Sequence, residues 1–191
     1  MILDELLCTE SISGTSPFLM DIGVIGWNLL KEFNILFDYE NKQFTLYKHS
    51  IIPDIIDISN WFQIKLNTEP SLTFSAQIRD YNENLRFGID TGSIMIGNNA
   101  DNCTVKNWIR TNIPDNILSK YSISYFLSNR NFPIIEDISI TSQNTSISNL
   151  DFLYYQTSQP NDRDGFLGGD FFSKYIVFLD NENNIMYFQK Y

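Results

Sequence analysis

The chain has 191 residues, 43% of them hydrophobic and 15% aromatic, with 15 Phe and 10 Tyr; this is enough for a sizeable core and excludes wholesale disorder. Acidic residues outnumber basic ones 23 to 13, for a formal charge of -10, which disfavours nonspecific binding to nucleic acid or to anionic membranes. Two cysteines, Cys8 and Cys103, make neither a disulfide framework nor a four-ligand zinc site, and a single histidine, His49, argues against Ser-His-Asp and Cys-His mechanisms.

No apolar run approaches the roughly 20 residues of a membrane-spanning helix. The stretch Met1 to Cys8 lacks a basic region followed by an apolar core, so it does not read as a signal peptide.

Along the chain, residues 23 to 48 read GVIGWNLLKEFNILFDYENKQFTLYK, and residues 165 to 190 read GFLGGDFFSKYIVFLDNENNIMYFQK. The offset is 142 throughout, without a gap. Gly23 matches Gly165, Gly26 matches Gly168, Asp38 matches Asp180, Asn41 matches Asn183 and Lys48 matches Lys190. Internal repeats of this kind decide the fold before any single element does. Each copy reads as a buried strand between glycines, a short helix capped by Asn28 or Asp170, and a hairpin. The hairpin arms are 34 to 38 and 43 to 47 in the first copy, and 176 to 180 and 185 to 188 in the second.

Between the copies, 49 to 60 reads as a linker. Alternating patterns predict strands over 61 to 66, 72 to 78 and 85 to 89. Residues 101 to 120 read as partly helical, broken at Pro114. Strands follow over 121 to 127, 133 to 141 and 147 to 156, and Gln159 to Asp164 reads as a polar loop.

The chemistry-bearing stretch is Phe87-Gly88-Ile89-Asp90-Thr91-Gly92-Ser93. A strand delivers an Asp into a tight turn made with a small hydroxyl residue and a glycine. Asp, Thr, Gly and Ser all favour turns, so the tripeptide alone carries little. Its context adds more: two predicted strands precede it, and Gly165-Phe166-Leu167-Gly168 with a helix follows 75 residues later.

That combination resembles the aspartic proteases, the retropepsin-like branch and its single-chain, pepsin-like relatives. The resemblance implies an all-β, acid-protease β-barrel fold with short helices. It assigns 1 to 48 to the C-terminal part of a first repeat, 49 to 60 to a linker, and 61 to 191 to a complete second repeat. It implies that Asp90 is catalytic, that Thr91 anchors to the opposing copy of the loop, and that Gly92 lets the backbone lie against the carboxylate. It also implies a place for Ser93 beside that carboxylate. Phe166-Leu167-Gly168 packs behind the loop, and Val24-Ile25-Gly26 holds the matching place in the first copy. The hairpin that covers substrate in this family is expected within 121 to 141, turning near Asn129-Arg130-Asn131. No metal or cofactor is implied. The expected partner is a peptide or protein substrate, with no nucleic acid and no membrane span, and family habit favours a secreted or periplasmic setting.

One departure matters. Only one Asp-Thr-Gly is present, and the offset places its counterpart at 90 minus 142, or -52, before residue 1. Ser13-Gly14-Thr15 is no substitute, because it lies nine residues before Gly23 and no strand leads into it. Three arrangements stay open. An upstream segment of the same protein supplies the second carboxylate; a second copy supplies it; or the apparatus is decayed and the domain binds peptides or partners.

Overall fold

The computed structural model describes residues 27–69, 71–91, 94–96, 103–105, 107–126, 132–156 and 163–191. The first elements are helix α1 (Trp27–Leu30) and the hairpin β1 (Asn34–Asp38) and β2 (Gln43–Tyr47). Next come β3 (Phe62–Lys65), β4 (Thr73–Ile78) and β5 (Asn84–Ile89), then β6 (Ile94–Ile96), β7 (Cys103–Val105) and β8 (Asn107–Ile109). A four-residue helix α2 (Asp115–Leu118) precedes β9 (Ile123–Phe126) and the long strands β10 (Phe132–Ser142) and β11 (Thr145–Tyr154). The chain finishes with β12 (Gly165–Leu167), α3 (Gly169–Phe172), β13 (Tyr175–Asp180) and β14 (Ile185–Lys190).

Six strands close into a barrel in the order β11, β8, β12, β5, β4, β10, with β10 returning to β11 and β9 added on β10. Closure leaves those six strands with no free edge between them. Alternation explains the inward set: β4 buries Thr73, Phe74, Ala76 and Ile78 and exposes Ser75 and Gln77. Phe74, Phe87 and Phe152 fill the centre, with the Phe74 and Phe87 rings stacked at 5.7 Å.

A second sheet of five strands runs in the order β2-β1-β13-β14-β3. Every residue of β13 is buried, because this sheet is covered on both faces, and a strand so placed reads as a continuous apolar run. One face joins the barrel core through Ile35, Val177 and Phe188. The other carries a smaller cluster of Leu36, Ile56, Trp61, Ile176, Phe178 and Tyr187. Ile56 therefore gives the linker a packing role, while Ile55 beside it stays exposed.

The two similar segments fold alike where both are described. α1 and α3 lie 142 residues apart, and so do the positive-φ turn residues Lys42 (φ 54°) and Asn184 (φ 57°). In each turn an aspartate accepts two hydrogen bonds. Asp38 takes Asn41 N–H at 3.1 Å and the Asn41 amide at 2.8 Å; Asp180 takes Asn183 N–H at 3.0 Å and its amide at 2.8 Å. These are Asx-type closures of the hairpin end. β1 and β13 then pair antiparallel with Leu36 opposite Phe178, its own counterpart. Ile35↔Leu179 and Phe37↔Val177 flank that pair, so exchanging the two hairpins maps the ladder onto itself.

The partial helix expected over 101 to 120 is present, but it is shorter than the range suggests. Within the described residues 103–105 and 107–109 are strands, and helix is confined to Asp115–Leu118 after Pro114. β8 is held from both sides, parallel to β11 and antiparallel to β12, and that long-range ladder adds to the strand preference of Trp108 and Ile109. Among the described residues no helix is long and apolar enough to cross a membrane.

Candidate functional site

β5 reaches Asp90 after running between β4 and β12. Its pairing with β12 is parallel: Gly165↔Phe87, Phe166↔Gly88 and Leu167↔Ile89. Asp90 N–H then donates to Leu167 O at 2.9 Å, and Ile89 N–H reaches Leu72 O at 3.4 Å. Phe166-Leu167-Gly168 thus lies directly beside the strand that carries Asp90, and the backbone of Asp90 is fixed to it. Asp90 and Thr91 are both half-buried. Gly92 and Ser93 lie outside the described residues, as do Val24-Ile25-Gly26.

Two glycines allow this close approach. A Cβ on Gly165 would sit 2.6 Å from the Trp108 carbonyl oxygen and 2.7 Å from Phe87 Cε1. A Cβ on Gly88 would meet Arg163 Cδ at 2.8 Å and Phe166 Cδ1 at 3.0 Å. Three strands can therefore come together only where the side chain is a hydrogen.

Asn107, at the start of β8, is a residue that sequence reasoning missed. It is fully buried. Its Oδ1 accepts from Gly168 N–H at 2.9 Å, and its amide donates to Asp151 O at 3.1 Å. It ties the end of β12 to β11, one residue beyond the carbonyl that holds Asp90. An Asn opening a short alternating run is the only sequence trace of this.

Asp164, the last residue of the expected polar loop, lies in a bend just before β12 and is anchored there. Its carboxylate accepts from Arg86 N–H at 2.8 Å, its own N–H donates to Arg86 O at 2.7 Å, and its carbonyl accepts from Arg110 N–H at 2.6 Å. It sets the start of β12 against β5. Next to it Arg163 lies 5.4 Å over the Phe166 ring, and Arg110 stands 5.3 Å from both Phe166 and Trp108.

The first hairpin also reaches this region. Tyr39 O–H donates to Thr91 O at 3.4 Å, and its ring stacks on Phe172 at 5.6 Å. The arms β9 and β10 pair antiparallel from Phe132↔Phe126 to Ile135↔Ile123, while the expected turn near Asn129-Arg130-Asn131 lies outside the described residues. His49 Nε2 sits 3.2 Å from Lys31 O, within the linker region. Among the described residues no cluster of three His, Cys, Asp or Glu is arranged to hold a metal ion.

The arrangement offers one carboxylate, Asp90, on a turn whose backbone is bonded to a neighbouring strand, flanked by a hydroxyl residue. No protein-family model matches the chain, and no curated protein matches it in sequence.

Proposed function

We propose that this chain forms part of an aspartic endopeptidase, with Asp90 as one member of a carboxylate pair and the other supplied from outside the chain. The observation that carries the reading is the seating of Asp90: a strand delivers Asp90 and Thr91 at its end, and Asp90 N–H bonds to Leu167 O of a parallel, glycine-bounded strand. This local plan agrees with the retropepsin-like fold that the motif resembles. The two hairpins paired about Leu36 and Phe178 agree with a two-repeat enzyme.

In that reading two carboxylates stand too close for both to ionise, so they hold one proton between them. The ionised member takes a proton from a bound water, which attacks the peptide carbonyl. The protonated member donates to the developing oxyanion and then to the leaving nitrogen. The two macroscopic pKa values belong to the pair. Thr91 anchors the loop, and Phe166, Leu167 and Gly168 keep it from shifting.

The test is cleavage of a mixed peptide library across pH 3 to 8 by the protein with its second half supplied, with a statine-type transition-state analogue as inhibitor. Asp90→Asn keeps the shape and removes the charge, so activity falls by about 100-fold or more while the unfolding midpoint hardly moves. Activity that survives Asp90→Asn, or that responds only to chelators or thiol reagents, refutes the assignment. Saturable peptide binding without cleavage points instead to a noncatalytic binding module.

A further inference from the structure

Barrel strands turn alternate residues outward. On β5, Leu85 and Phe87 are buried in the core, so Arg86 and Gly88 face away from it. Asp90 N–H carries the same ladder on to Leu167 O, and alternation brings Asp90 to the outer face with them. Phe166, opposite Gly88 on β12, and Trp108, opposite Phe166 on β8, share that face, since Gly165, Leu167 and Ile109 turn inward. Arg110 follows β8, and Arg163 comes just before β12. Three of the five arginines of a chain with formal charge -10 thus gather beside Asp90.

Their setting favours a ligand over a structural pairing. Arg110 is exposed, and its guanidinium lies 5.3 Å from the centres of both the Trp108 and the Phe166 rings. Ring faces hold a guanidinium by its plane and leave its N–H edges unspent. Among the described residues Arg110 forms no ion pair. Arg163 stands 5.4 Å from the same Phe166 ring and adds a second positive charge. The Asp164 carboxylate close by is turned to the Arg86 N–H at 2.8 Å.

We propose that the face beside Asp90 binds an extended peptide carrying an acidic side chain, with Arg110 receiving the carboxylate and Arg163 adding charge. The planar fork of donors on arginine matches two carboxylate oxygens. Phe166 and Trp108 lie two residues along the strands from Asp90, about 6.6 Å, and one or two strands across, about 5–10 Å. Those offsets combine to roughly 8–12 Å, which two or three residues of extended peptide span. The acidic residue therefore falls two or three positions from the bond that faces Asp90, and on one side of it only. The inference deepens the proposed function and rests on it for the choice of a peptide as ligand. Single-stranded nucleic acid also uses arginines among aromatics, but the charge of -10 opposes it.

The probe is a set of acetylated octapeptides of alanine and threonine with a central Phe-Leu. Each carries one Glu, moved position by position, and has Gln and Lys counterparts. They are titrated up to millimolar concentration into the full chain, and the Trp108 indole is followed by NMR. At one position Glu should bind about tenfold tighter than Gln, with Lys weaker still. Arg110→Gln should remove the preference. Arg110→Glu should turn it toward Lys, a reversal that misfolding cannot produce. The Asp90→Asn chain should keep the preference for Glu, so the two readings fail separately. A Glu preference that depends on Arg110 stands even if the cleavage assay fails, whereas Asp90-dependent cleavage indifferent to Glu upholds the peptidase and removes this inference. The proposal is overturned if Glu, Gln and Lys peptides bind alike, if the preference survives Arg110→Gln, or if no peptide binds. It is also overturned if a deoxythymidine decamer shifts the Trp108 signal at lower concentration than any peptide.

Discussion

Replacing Asn107 by alanine removes a link that holds the strand behind Asp90. Asn107 is fully buried and makes two bonds, from Gly168 N–H and to Asp151 O. Losing its Oδ1 leaves the buried Gly168 N–H without this acceptor, at a cost of about 1–3 kcal/mol. Losing the amide donor adds about 0.5–1.5 kcal/mol. The expected total is about 1.5–4.5 kcal/mol, and in a chain of this size each kcal/mol lowers Tm by roughly 2–4 °C. Urea unfolding and calorimetry measure both quantities. Asn107→Asp sharpens the test. The carboxylate still accepts from Gly168, but when ionised it cannot donate to Asp151 O, and burial raises its pKa in the folded state. A raised folded pKa means that the stability is present at low pH and lost as pH rises through that value. The variant should therefore gain on wild type as pH falls. A loss below about 0.5 kcal/mol for Asn107→Ala, or an Asp variant with no pH dependence relative to wild type, refutes the bridging role.

Gly165→Ala should destabilise by about 1–3 kcal/mol, since the new methyl meets backbone, while Gly88→Ala should cost less because Arg163 is a flexible neighbour; equal urea midpoints for the two variants count against this packing. Phe171→Ala should cost about 3–5 kcal/mol and Leu29→Ala no more than about 0.5 kcal/mol, although they occupy matching places, because Phe171 is 0% and Leu29 57% exposed; comparable losses would show that Leu29 is covered. Burial alone raises the Tyr175 pKa, so the folded chain keeps this proton longer than the unfolded one, and stability should fall as pH rises above the ordinary tyrosine value of about 10. Absorbance at 295 nm should show native ionisation lagging behind that of the chain in urea, with Tyr175→Phe removing part of the lag; superimposed curves contradict the burial.

Local chemistry settled much of the fold before any tertiary contact was considered. The Asp-x-x-Asn turns at 38 to 41 and 180 to 183 close on their own side chains, so they are legible in any context. The alternation of β4 and the shared spacing of the two hairpins depend on a period of two and on a turn residue, both of which a sequence displays directly. The Asp-Thr-Gly stretch is legible for the same reason. Long-range structure decided the rest. Trp108 and Ile109 favour a strand, but three residues are too short a run to fix one, and β8 is a strand because β11 and β12 flank it. The parallel placement of β12 beside β5 joins residues some 78 positions apart, and its register is set by two glycines whose missing Cβ atoms matter only once Trp108, Phe87 and Arg163 arrive. The same holds for the unequal cover of Leu29 and Phe171. Equivalent residues carry the same local signal, but burial belongs to whatever packs against them, and that is a property of the assembled barrel.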